Sequence, residues 1–181
     1  MSNLPIRRIV LHYSATFPDQ DWGVTELRRL HLARGWKDVG YHYVIRRDGR
    51  IERGRAEDVI GAHVEGHNTG SIGVCCIGGL ERATGKDLGV DNRTPAQIVA
   101  TTLLLRDLLA RHPGAEVLGH RDLAPTQCPG FDVKTWWAQV NAEARGGVPG
   151  SGASAPSAVP GLRGILAAIR SFIRNIFRRP S

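Results

Sequence analysis

Thr94-Pro95-Ala96-Gln97-Ile98-Val99-Ala100-Thr101-Thr102-Leu103-Leu104-Leu105-Arg106-Asp107-Leu108-Leu109-Ala110-Arg111-His112-Pro113-Gly114-Ala115-Glu116-Val117-Leu118-Gly119 reads as a helix followed by a strand. Thr94 can cap, Pro95 suits the first helical position, and Gln97 completes a capping box. The helix runs to about Arg111, because His112-Pro113 cannot continue it. Ala115 to Gly119 is then a short apolar strand. Outward from this pair the same interleaving recurs. Ile6 to Tyr13 reads as a strand. Thr25 to Arg34 reads as a helix that Gly35 stops. Tyr41 to Arg47 is a strand, Asp48-Gly49 a hairpin turn, and Arg50 to Arg55 the return strand. Ser71 to Ile77 is a buried strand closed by Gly78-Gly79, and Asp132 to Ala144 is a third helix. Strands separated by helices imply an α/β fold, a central mixed β-sheet flanked by helices in a single domain.

The chain has 181 residues, 41% hydrophobic and 23% charged, which is globular composition. No run of 18 apolar residues is present, so no simple membrane span is expected. The N-terminus lacks the apolar core of a signal peptide, and three cysteines, two of them adjacent, make no disulfide framework. Synthesis in the cytoplasm is the expectation.

Charge is unevenly distributed. Of 24 Lys and Arg, six (Arg145, Arg163, Arg170, Arg174, Arg178 and Arg179) follow Glu143, the last acid; residues 1–143 hold 18 basic against 17 acidic residues. Six of the seven net positive charges therefore belong to the C-terminal segment. That pattern excludes a protein that coats nucleic acid throughout and indicates a near-neutral domain with a cationic tail. Residues 146–161 are almost only Gly, Ser, Ala, Pro and Val and read as a linker. Residues 162–179 resume apolar periodicity as a C-terminal amphipathic helix. At about 100° per residue, Leu162, Ile165, Leu166, Ile169, Phe172, Ile173, Ile176 and Phe177 share an arc of about 140°, with Arg163, Arg170, Arg174 and Arg178 along one flank. Such a helix suits the interface of an anionic membrane. The division expected is 1–145, a globular domain; 146–161, a linker; and 162–181, a cationic helix.

Three candidate metal ligands stand at element ends: His12, His120 and Cys128. Imidazole and thiolate are ligands that zinc prefers, and three protein ligands leave the fourth position open for catalysis. Spacing alone leaves them open between zinc ligands and packed polar residues, since His-x7-Cys matches no local zinc code.

The order of the motifs goes further. Leu11-His12-Tyr13-Ser14-Ala15-Thr16 resembles the first motif of the zinc-dependent N-acetylmuramoyl-L-alanine amidases, a family that includes phage amidase-type lysozymes and peptidoglycan recognition proteins. Gly35-Trp36-Lys37-Asp38-Val39-Gly40-Tyr41-His42-Tyr43 with Arg47-Asp48-Gly49 resembles the second. His63-Val64-Glu65-Gly66-His67-Asn68 with Ser71-Ile72-Gly73-Val74 resembles the third, and Gly119-His120-Arg121-Asp122-Leu123-Ala124-Pro125 through Cys128-Pro129 the fourth. The resemblance implies Zn2+ on His12, His120 and Cys128 and a catalytic tyrosine at Tyr41. It implies a catalytic contribution from Thr126, where some phage enzymes carry lysine and many recognition proteins threonine, and substrate contacts from His63 and Asn68.

The implied activity is that of an endolysin: hydrolysis of the amide between N-acetylmuramic acid and L-alanine in peptidoglycan. The enzyme would be made in the host cytoplasm, act on the periplasmic cell wall after release, work as a monomer, and bind no nucleic acid. A cytoplasmic amidase recycling muropeptides is the first alternative, for which the cationic tail has no evident use. A non-catalytic peptidoglycan-binding protein is the second, and the retained Cys128 opposes it. His42 is expected to pack away from Tyr41, and His31 and His112 to be structural or solvated. Cys75 and Cys76 are expected on opposite faces of their strand, Trp136 and Trp137 in the core, and Trp36 in either core or glycan groove.

Overall fold

The computed structural model describes residues 5–82 and 89–144. Among them the elements are β1 (Arg8–Tyr13), α1 (Val24–Ala33), β2 (Tyr43–Ile45), β3 (Ile51–Arg53), β4 (Ser71–Cys76), α2 (Pro95–Arg111), β5 (Glu116–Gly119) and α3 (Val133–Ala144), with a 3-10 turn at His120–Asp122. The strands form one mixed sheet in the order β3-β2-β4-β1-β5. β1 pairs parallel with β4 and β5, β2 pairs parallel with β4, and β3 runs antiparallel to β2. The expected mixed sheet with flanking helices is present. The C-terminal helix expected over residues 162–179 lies outside the described residues, and so does the linker.

Both faces of the sheet are covered, so β4 is buried along its whole length. Ile9 and Leu11 of β1, Tyr43 and Ile45 of β2, and Ile72, Val74 and Cys76 of β4 pack with Ala100, Leu104, Leu105 and Leu108 of α2. The alternate residues Val44 and Cys75 pack with Val24 and Leu27 of α1. Period-2 alternation thus separates two layers. Cys75 and Cys76 do face opposite ways, and Trp136 and Trp137 pack against the larger cluster. No described helix is long and apolar enough to cross a membrane.

The capping box at the start of α2 forms as read. The Gln97 amide N–H donates to Thr94 Oγ1 at 3.1 Å, and the Thr94 N–H donates to Gln97 Oε1 at 3.0 Å. Gln97 is fully buried, and its Nε2 also donates to the carbonyls of Ile45 and Ile77. One side chain therefore caps α2 and ties down the ends of β2 and β4. At the hairpin, Gly49 takes φ +86°, and a Cβ there would meet the Ala96 carbonyl oxygen at 2.8 Å. Glycine is required on both counts.

The strand expected over Tyr41 to Arg47 is shorter than read. The N–H groups of the consecutive residues Gly54 and Arg55 donate to the carbonyls of His42 and Tyr41. An antiparallel ladder alternates its bonds, so this pairing ends the regular strand at Tyr43. Tyr41 and His42 stand just before it, at the amino end of β2, where the His42 N–H donates to the Gly73 carbonyl of β4.

Candidate active site

His12 occupies the carboxyl end of β1, and His120 follows β5 directly. Parallel strands commonly carry their ligand sites at this edge. Cys128 arrives on the loop after the 3-10 turn, held by Arg121 N–H donating to the Cys128 carbonyl at 2.8 Å. One ligand atom from each of His12, His120 and Cys128 lies within 4.8 Å of the others. The nearest nitrogen of His12 to the sulfur is Nδ1, at 3.8 Å. Donors about a tetrahedral zinc at roughly 2.0–2.3 Å stand roughly 3.4–3.8 Å apart, so this donor set fits that ion in kind, and the His12–Cys128 pair fits it in spacing.

The electrostatics agree with that chemistry. Burial, with His63 and His120 adding to it, holds the His12 imidazole well below its ordinary value. Burial lowers His120 as well. Both rings stay neutral and keep a lone pair, as metal binding needs. The Tyr13 amide N–H donates to Cys128 Sγ at 3.3 Å, a contact that favours thiolate.

His63 does not sit in an exposed loop. It is 8% exposed, and its Nδ1 lies 3.1 Å from His12 Nε2. Its Nε2 lies 3.3 Å from Ser71 Oγ. Burial and the neighbouring His42 push its ring down to about 3. Asn68 shapes this segment: its Oδ1 accepts the N–H groups of both His63 and Val64, at 2.8 and 2.9 Å. The chain turns at Gly66, which takes φ +75°, and the glycines flanking the motif give no sign that His63 folds back onto β1.

The Tyr41 ring centroid lies 5.3 Å from that of His12. Burial, reinforced by the Cys75 and Cys128 sulfurs, holds the phenol well above its ordinary value, so it remains a proton donor. Thr126 Oγ1 accepts the Cys128 N–H at 3.2 Å, which orients the loop carrying the sulfur. His42 is buried, with Nδ1 accepting the Gly73 N–H and Nε2 facing the Val59 carbonyl, each at 3.0 Å. His31 is structural: its Nδ1 accepts the Gly40 N–H, and Trp36 stacks on it with ring centroids 4.4 Å apart. Trp36 remains 38% exposed, on the surface rather than in the core. His112 pairs with Glu57.

Residues 2–131 match the family model described as N-acetylmuramoyl-L-alanine amidase. The endolysin of Klebsiella phage KP32 is 46% identical over 130 residues, covering 72% of this chain and 84% of that protein. The endolysin of Escherichia phage T7 is 47% identical over 129 residues, covering 71% and 83%. Among solved structures, the N-acetylmuramoyl-L-alanine amidase LysC from Clostridium intestinale superposes with a TM-score of 0.65 at 27% identity, covering 79% of this chain and 87% of that one.

Proposed function

The chain belongs to the N-acetylmuramoyl-L-alanine amidase family, and we propose that it is a zinc-dependent endolysin that hydrolyses the amide between N-acetylmuramic acid and L-alanine in peptidoglycan. One observation carries this reading: His12, His120 and Cys128, distant in sequence, converge within 4.8 Å at the carboxyl edge of the sheet.

His12 Nδ1, a ring nitrogen of His120 and the Cys128 sulfur would hold the metal. When bound, zinc supplies a Lewis acid that brings the pKa of water to near 7 and polarises a carbonyl. Tyr41 donates a hydrogen bond to the amide oxygen as negative charge develops on it. Thr126 keeps the Cys128 loop in register and adds a second hydroxyl beside the site. The test is purified sacculi, with release of new L-alanine amino termini followed. Release that stops with a chelator and returns with zinc supports the reading; release indifferent to a chelator removes the metal from it.

The same reading extends to the C-terminal segment. Residues 1–145 form the amidase domain, 146–161 the linker, and 162–179 a helix that lies in the interface of an anionic membrane. Each arginine near such a surface contributes about 1 kcal/mol. The linker lets the helix reach a bilayer while the enzyme reaches the wall. Truncation after Gly150 should keep activity on isolated sacculi and lose binding to anionic vesicles and lysis of intact cells. A truncated protein that lyses intact cells as well as the full chain would assign the tail another task.

A further inference from the structure

We propose that His63 is a positioning residue that fixes which nitrogen of His12 faces His120 and Cys128, and is not a contact to substrate. The inference rests on the zinc reading above and deepens it.

The hydrogen bonds have one consistent direction. His12 turns Nδ1 toward the Cys128 sulfur, at 3.8 Å. A nitrogen that binds metal carries no proton, so the ring proton of neutral His12 sits on Nε2. Nε2 lies 3.1 Å from His63 Nδ1, which must then accept. His63 in turn carries its own proton on Nε2 and donates to Ser71 Oγ at 3.3 Å. Both nitrogens of His63 are thus engaged, Nδ1 by His12 and Nε2 by Ser71, and neither is left for a substrate.

The slot around His63 is closed as well. A Cβ on Gly73 would come within 2.5 Å of His63 Cγ, so only glycine at that position of β4 admits the ring. The Gly73 N–H donates to His42 Nδ1 at 3.0 Å, which leaves the His42 proton on Nε2, donating to the Val59 carbonyl at 3.0 Å. His42 therefore ties together two walls of the slot, β4 and the segment before His63. Asn68 Oδ1 fixes the backbone of His63 itself. Partners that hold the free nitrogen of a metal-bound imidazole typically affect metal affinity about 10–100-fold when removed.

The test uses the full chain, wild type and His63→Phe, His63→Asn and Ser71→Ala. Zinc affinity is measured by competition with a chromophoric chelator, and KM for a soluble muropeptide at saturating zinc. His63→Phe should bind zinc about 10–100-fold more weakly. His63→Asn, which offers Oδ1 where the acceptor stood, should recover most of that loss. Ser71→Ala should fall between wild type and His63→Phe, and KM should not change. Wild-type zinc affinity in a folded His63→Phe overturns the proposal, as does a raised KM with zinc affinity intact. Should His63→Phe fail to fold, Ser71→Ala and nitrogen-15 spectra of the wild-type zinc form decide. Protons on Nε2 of both His12 and His63 are expected; a proton on His12 Nδ1 overturns the assignment. Wild-type protein that takes up no zinc would overturn the proposed function along with it.

Discussion

Leu11 and His12 are neighbours on one strand and meet opposite surroundings. Leu11 joins Ile9, Ile72, Val74 and Cys76 in the apolar layer beneath α2. His12 faces the other way, toward Tyr41, His63 and His120, with ring centroids 4.7–5.3 Å from its own. The same contrast runs through β4, where Cys76 lies in the apolar layer and Gly73 borders His63. Alternation lets one strand serve stability on one side and chemistry on the other. The α2 side holds the strand ends still, and the opposite side presents imidazoles, a phenol and a sulfur at those ends. Substitutions on the two sides should therefore separate in what they damage.

The largest effect is expected on the apolar side. Leu105 is fully buried in α2, and Leu105→Ala should cost about 2–5 kcal/mol of stability, read by urea unfolding. Its turnover number below the unfolding transition should stay at the wild-type value; a fall in kcat without loss of fold would break the separation. On the site side, Tyr41→Phe should do the reverse. Loss of one oxyanion donor typically costs about 2.7–4 kcal/mol in the chemical step, with stability and zinc content unchanged. An unaltered kcat would remove the phenol from the mechanism.

Glu57 sharpens the comparison away from the site. Burial alone would raise its carboxyl, but hydrogen bonds from Arg111, Tyr43 and His112 outweigh that and hold it at about 2. A lowered carboxylate stabilises the fold above its unfolded value near 4.3, and that contribution is lost as the pH falls through about 2. Glu57→Gln should thus cost about 1–3 kcal/mol at pH 7, and the gap from wild type should close below about pH 2. A gap that persists there would mean that packing, not charge, is what Glu57 supplies. Thr126→Ala should have the smallest effect, lowering kcat by less than Tyr41→Phe does. An effect equal to that of Tyr41→Phe would raise Thr126 to an equal partner in the reaction.

The sequence carried the fold well where local signals were strong. The Thr94-Pro95-Ala96-Gln97 cap, the Asp48-Gly49 turn and the buried run of β4 all stand where the residues put them. It was less informative where one residue answers to distant partners. Gln97 reads as a cap, yet its Nε2 also binds strand ends 52 and 20 residues away. Tyr41 reads as the start of a strand, and the bonds from Gly54 and Arg55 take it out of the ladder. The residue types of His12, His120 and Cys128 were suggestive alone and specific only in the order of the motifs. His63 is the sharpest lesson. Its glycine-flanked, polar context carries no mark of burial, and its partner His12 lies 51 residues earlier. Periodicity cannot register such a contact.

Metal content measured together with activity on Cys128→Ala tests the central claim most directly. Wild-type protein should carry one zinc per chain and release L-alanine amino termini from sacculi. Cys128→Ala should fold, lose the metal and lose the release together. Stoichiometric zinc and full activity in that variant would contradict the account.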